Sequence, residues 1–457
     1  MKLAILLIIC LLSCVAAPAR TADAISPIAT RTDAATEQKL RAAMRANPRS
    51  ARPVNELGLL HLARGDYTQA ERAFRHAITL NPKWAEPVFN LAQLHRDHKR
   101  NYAEAIRLYR KAMALEPHNP RPVVGLAQLY MIASVPFADF DEAEALFKAA
   151  LALNPSRPES LVAYADFLNE AKAEYWQAEA LYRQAMQLKS RFVPAFVGLG
   201  LVYANQGQPR PAEQLYRRAL QWEPDNSRVL SNLANLYATA WNDDAEAERL
   251  HKRAVAANPR NAIAMYNFAN LYMRQDRNME AEKLYRSAIA LNPEFGYAYG
   301  NLGIVVYRQK KYEEAEELYR RAMALNPASA YIYVNNIGEI RKDRKEYAEA
   351  EQFYRQAMKL NAQADLPVAS LAELYRDMPK SLTEEEALWR QAIKLAPRYA
   401  RYYVDLALNL WKQQKKEEAM TEARQALAMG YRGPHPVFDE LGLKPDARQS
   451  PGIKTPG

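Results

Sequence analysis

From Ala51 to Gly433 the apolar positions come in pairs of short stripes separated by polar turns. The stretch 296–329 reads GYAYGNLGIVVYRQKKYEEAEELYRRAMALNPAS. Tyr299, Leu302, Gly303 and Val306 fall at the i, i+3, i+4, i+7 spacing of one apolar helix face, and Ala315, Leu318, Tyr319 and Ala322 repeat it. Gln309 to Tyr312 reads as a turn. Asn326-Pro327 closes the second helix, because a residue before proline avoids the α region. Small residues at Gly303, Ala315 and Ala322 let the two helices approach, and Tyr299, Leu302 and Tyr319 fill the space between neighbouring pairs. One such pair cannot bury its apolar faces alone, so it needs copies on both sides.

The copies are marked by what stands at the end-of-repeat position: Pro48, Pro82, Pro117, Pro155, Ser190, Pro224, Pro259, Pro293, Pro327, Ala362, Pro397 and Tyr431, spaced by 34 to 38 residues. They predict an all-α chain of eleven helix-turn-helix repeats at 51–84, 85–119, 120–157, 158–192, 193–226, 227–261, 262–295, 296–329, 330–364, 365–399 and 400–433. The third repeat carries extra residues between its helices, in Met131 to Asp141, where Pro136, Phe137 and Phe140 stand; the aromatics are expected to tuck onto the next repeat. The ninth has one extra residue between Tyr331 and Gly338, and the tenth has Glu385 where alanine is usual, so local distortion is expected at both.

Leu57-Gly58, Ala70, Phe74, Ala77 and Pro82 in the first copy, and Leu199-Gly200, Tyr203, Ala212, Tyr216, Ala219 and Pro224 in the fifth, make the chain resemble the tetratricopeptide repeat (TPR) family. That resemblance implies a right-handed superhelical solenoid whose first helices line a concave groove, and a scaffold that binds other proteins. It also implies where function is to be read: on the groove-facing positions of the first helices.

Those positions hold Asn90 and Gln93, Asn232 and Asn235, Asn267 and Asn270, Asn301, and Asn336 with Glu339. Each amide offers donor and acceptor, so a row at repeat spacing can pair with an extended peptide backbone without reading its side chains. The pattern resembles the asparagine ladders of peptide-binding superhelices such as the repeat region of O-linked N-acetylglucosamine transferase. Asparagine is also common there in generic repeats, so a structural role stands beside the binding one. Tyr266, Tyr297, Tyr307 and Tyr331 suit peptide side chains, sugar rings or core packing; Arg274 and Arg308 can neutralise acidic groups. No three successive repeats supply the lysine, asparagine and arginine set of a carboxylate clamp.

Outside the repeats, Lys2 and the apolar run Leu3 to Leu12 read as a secretory signal, residues 1–22. Leu11-Leu12-Ser13-Cys14 resembles a lipobox that would lipidate Cys14, while Ala17-Pro18-Ala19 and Ala22-Asp23-Ala24 offer ordinary cleavage. Either ending implies export to a bacterial periplasm or outer membrane, with membrane contact only through a lipid anchor. Residues 23–36 read as a flexible tether and 37–50 as a capping helix with Leu40 and Ala43 inward; 434–444, with Val437, Phe438 and Leu441, reads as a C-terminal cap, and 445–457 as a disordered tail.

Composition adds limits. Both cysteines, Cys10 and Cys14, lie in the leader, so no disulfide is expected. The formal charge is +10, but its Lys and Arg are scattered along second helices, which reads as solvated surface. No HExxH, glycine-rich phosphate loop or nucleophile elbow occurs, and His95 with His98 reads as a surface pair. The expectation is a non-catalytic scaffold without cofactor or metal. Three alternatives are a glycan-contacting secretion scaffold, the repeat portion of an O-GlcNAc-transferase-like system, and a nucleic-acid-binding helical repeat, the last opposed by the leader.

Overall fold

The computed structural model describes residues 34–132, 139–378 and 382–443. The leader with Cys14, most of the expected tether, Pro136, Phe137 and the tail 445–457 lie outside the described residues. What is described consists of helices, without a strand, in two compact units divided after Asn267.

In the first unit α1 (Ala34–Ala46) precedes six helix pairs: α2 (Ala51–Arg64) with α3 (Tyr67–Leu80), α4 (Ala85–Leu94) with α5 (Tyr102–Leu115), α6 (Pro120–Tyr130) with α7 (Phe140–Leu153), α8 (Pro158–Glu170) with α9 (Tyr175–Leu188), α10 (Val193–Asn205) with α11 (Pro209–Trp222), and α12 (Ser227–Leu236) with α13 (Asp244–Ala257). The division falls inside α14 (Ala262–Arg274). The second unit continues with α15 (Asn278–Leu291), α16 (Gly296–Arg308), α17 (Tyr312–Leu325), α18 (Ala330–Asp343), α19 (Tyr347–Leu360), α20 (Asp365–Asp377), α21 (Leu382–Leu395), α22 (Ala400–Lys412), α23 (Lys416–Ala428) and the short α24 (Pro436–Glu440). Even numbers from α2 to α22 are first helices of repeats and odd numbers from α3 to α23 are second helices.

Nine of the eleven second helices send one large side chain into the core, with a fully buried alanine one turn after it. Phe74, Tyr109, Phe147, Tyr182 and Tyr216 do so in the first unit, and Tyr285, Tyr319, Tyr354 and Trp389 in the second, all essentially without exposure. The flanking alanines, Ala315 and Ala322 around Tyr319 for example, are fully buried, because only a methyl group fits where helices close on each other. The polar side of these helices is laced to the next repeat. Tyr203 accepts from Arg183 and donates to Glu179, both at 2.8 Å. Tyr237 does the same with Arg217 and Glu213 at 2.6 Å, and Tyr375 with Arg355 and Glu351 at 2.8 and 2.7 Å. Much of the scattered basic charge is thus paired.

Repeat length is adjusted in the turns. First helices end at a left-handed residue, Gly65, Gly207, Asp276, Lys310 or Gln414 in repeats of standard length. Where one more residue is present, the second and sixth repeats widen the end of the helix into π turns, His95–Lys99 and Tyr237–Trp241, and the left-handed position passes to Arg100 and Asn242; in the fourth it passes to Ala173. The distortion expected between Tyr331 and Gly338 does not occur. α18 takes the residue by running 14 residues against 13 for α16, after a 3-10 turn at Pro327–Ser329. Nor does Glu385 interrupt α21: its buried carboxylate accepts the Trp389 indole N–H at 3.1 Å.

The ends are capped. α1 begins at Ala34, within the stretch expected to be tether, and packs Leu40 against Leu57 and Leu60 while Glu37 pairs with Arg41 and Arg64. α24 lays Val437 and Phe438 on Val404, Ala407, Ala423 and Ala426. Phe140 meets the edge of α8, its ring centroid 6.4 Å from that of Phe167, but stays exposed and does not tuck away as expected.

Candidate functional site

In the first unit the polar residues of the first helices bond largely to one another. Asn90 Nδ2 donates to Asn55 Oδ1 at 3.0 Å and Asn267 Nδ2 to Ser231 Oγ at 3.1 Å, so the sixth residue of one first helix reaches the fifth of the preceding one. Gln93 is half-buried on α4. Asn232 and Asn235, one turn apart on α12, are both half-buried; Asn232 Nδ2 has no hydrogen-bond partner, and no bond holds the Asn235 amide among the described residues. Tyr266 is buried, which makes it packing and not a free ring.

A carboxylate that sequence reasoning passed over lies on the same kind of face. Asp166 on α8 is buried and accepts the Tyr182 hydroxyl at 2.5 Å. Burial pushes its carboxyl up to about 6, against the pull of Arg228 and that hydroxyl. The signal was its place one turn after the sixth position, where other repeats carry Asn235 or Asn270.

In the second unit Asn270 Oδ1 accepts both the Tyr285 hydroxyl at 2.6 Å and Asn301 Nδ2 at 2.9 Å. Asn301 is buried; Asn336 is buried as well, its Nδ2 facing the Tyr319 hydroxyl without reaching hydrogen-bond geometry. Tyr307 is buried and donates to Asp343 Oδ2 at 2.7 Å; burial and that carboxylate push its phenol well above the usual range. Arg308, expected to meet acidic groups of a ligand, instead donates to the Met273 carbonyl at 3.0 Å and to Asp276 Oδ1 at 3.2 Å, holding the end of α14. Arg274 is half-buried and engaged, and Tyr297 and Tyr331 are half-buried.

The register continues past the ninth repeat in a different chemistry. Ser370 and Asp405 take the sixth position of α20 and α22, and Glu373 the place one turn later on α20. Glu339 Oε1 accepts the Tyr354 hydroxyl at 2.7 Å, as Asn270 accepts that of Tyr285. Sequence reading stopped at Glu339 because it followed amides, whereas the repeat spacing alone leads on to Ser370, Glu373 and Asp405.

The histidines differ from expectation. His95 is buried with Nε2 3.5 Å from Glu71 Oε1, burial holding its imidazole below the usual value, while His98 is exposed and stacks on Tyr67 at 4.2 Å between centroids. Among the described residues no three His, Cys, Asp or Glu side chains gather as metal ligands, and no helix is long and apolar enough to cross a membrane.

Three family models described as tetratricopeptide repeat match the chain: one at residues 35–83, 55–120 and 266–330, a second at 171–236 and a third at 333–363. No curated protein matches it. Among solved structures, Cut9 with Hcn1, an APC/C hetero-tetramer, is similar at 14% identity with a TM-score of 0.53, over 90% of this chain and 94% of that one. Yeast Tom70 is similar at 17% identity with a TM-score of 0.46, over 86% and 93%. With matched repeats spanning more than half of its length and the helix pairs packed as described, the chain belongs to the tetratricopeptide repeat family.

Proposed function

We propose that this protein is a non-catalytic scaffold whose first-helix faces hold an extended segment of a partner protein. The faces concerned carry Asn232, Asn235 and Asn267 in the first unit and Asn270, Asn301 and Asn336 in the second. The observation that carries the reading is α12: Asn232 and Asn235 lie one turn apart, half-buried, with amide capacity that no described residue takes up. Two such groups can accept and donate to a peptide backbone, whereas the other amides are partly spent on one another. Glycan stacking is less well served, since Tyr266 and Tyr307 are buried.

A photoreactive amino acid placed at Asn235, with an identical one at the exposed Lys252 of α13 as control, tests the reading. Crosslinks to a protein partner from Asn235 and not from Lys252 support it; crosslinks from Lys252 alone move binding to the second helices. Export remains part of the proposal and rests on the run Leu3 to Leu12 and on Cys14. Incorporation of labelled palmitate that disappears in Cys14→Ser would establish the anchor, and a chain retained in the cytoplasm would remove both.

A further inference from the structure

On α18 and α20 the first-helix face turns acidic. Lys342 Nζ lies 3.3 Å from Glu373 Oε2 and 3.7 Å from Glu339 Oε2. Asp377 is exposed at the end of α20 and also acts on that lysine. The other nearby cation is already committed: Arg376 bonds Asp405 Oδ1 at 2.9 Å, and Asp405 is further held by Arg401 at 2.7 Å. Among the described residues Glu339, Glu373 and Asp377 all act on Lys342. Among the described residues Lys342 is the only group bonded to Glu373, through one of its two oxygens.

A second observation lies beside the first. Ser370, one turn before Glu373 on the same face of α20, is fully buried, and its Oγ has no hydrogen-bond partner. Burial and the neighbouring Glu339 and Asp405 push the Glu373 carboxyl up, while Lys342 and Arg376 pull it down. Carboxylates gathered around one lysine repel phosphate and attract ammonium or guanidinium.

We propose that Glu339, Glu373 and Asp377, arranged around Lys342, seat a lysine or arginine side chain of the partner segment. The proposal rests on the reading of first-helix faces as peptide-binding and adds the partner's charge to it. An arginine fits best, because its planar fork can bridge Glu373 and Asp377.

Fluorescence anisotropy of the full chain with short alanine-based peptides carrying arginine, or glutamine in its place, tests this. The arginine peptide should bind about tenfold more tightly than the glutamine peptide and lose that advantage in high salt. Glu373→Gln and, at an exposed position, Asp377→Asn should each remove most of the difference, with unchanged far-ultraviolet circular dichroism. Equal binding of both peptides, lost together when Asn232, Asn267, Asn301 and Asn336 become alanine, would overturn the charge proposal and leave the amide reading standing. No binding of either peptide would overturn both. Tighter binding after removal of residues 444–457 would give the seat to the chain's own tail and overturn the assignment to a partner.

Discussion

Gly303 of α16 lies against the ring of Tyr319 of α17: a Cβ on Gly303 would fall 2.6 Å from Cε1 and 2.8 Å from Cδ1 of a fully buried tyrosine. Gly338 stands in the same relation to Tyr354, again at 2.6 and 2.8 Å. The aromatic side chain of the second helix and the missing side chain of the first are one packing device.

Gly303→Ala should therefore destabilise the second unit. Overpacking of this kind costs about 1–3 kcal/mol, against a helix-propensity gain of about 1 kcal/mol for replacing glycine by alanine. A net loss of about 1 kcal/mol should appear as a lower urea midpoint. A midpoint equal to or above that of the wild type would mean that the Tyr319 ring moves freely aside.

A gain is expected at Ala173, which ends α8 in the left-handed region at φ 53 although it is not a glycine. That conformation costs an L residue about 1–2 kcal/mol, while glycine adds unfolded-state entropy worth about 0.5–1 kcal/mol. Ala173→Gly should raise stability by up to about 1 kcal/mol in a thermal melt. Lower stability would show that the methyl group packs to more effect than the backbone strains.

His251 takes the place of the core aromatic in α13 and is fully buried, and burial pushes its imidazole down to about 3. The unfolded chain binds a proton there near pH 6.5 while the folded chain does not, so this group's contribution is intact above 6.5 and is lost as pH falls from 6.5 toward 3. Its share of the loss at pH 5 is about 2 kcal/mol. His251→Phe should lose less stability than the wild type between pH 7 and pH 5 in parallel urea titrations. Identical losses would mean that the buried imidazole does not govern acid sensitivity.

The fold of consecutive helix pairs was legible because proline and the alanine-aromatic-alanine spacing act within one helix, where periodicity determines which side chains share a face. The candidate faces were legible only in part. Asn301 and Asn270 both stand out as amides, but that they spend a donor and an acceptor on each other depends on how two first helices approach, and that approach has no local signal. Arg308 could not be assigned to the Met273 carbonyl for the same reason, and the π turns follow from one inserted residue whose place spacing alone does not locate.

The unequal engagement of the amides separates binding from folding. Asn301→Ala removes the bond to Asn270 Oδ1, which keeps the Tyr285 hydroxyl, so a loss of about 1 kcal/mol in stability is expected. Asn235→Ala removes an amide that no bond holds among the described residues and should change the stability read from the urea midpoint by less than about 0.5 kcal/mol. If α12 is a binding face, Asn235→Ala combined with Asn232→Ala lowers affinity for the crosslinked partner, measured by titration calorimetry, while the melting curve stays in place. A double variant that melts early and binds normally would instead make these asparagines part of the packing, and the faces would then have to be read from Glu373 onward.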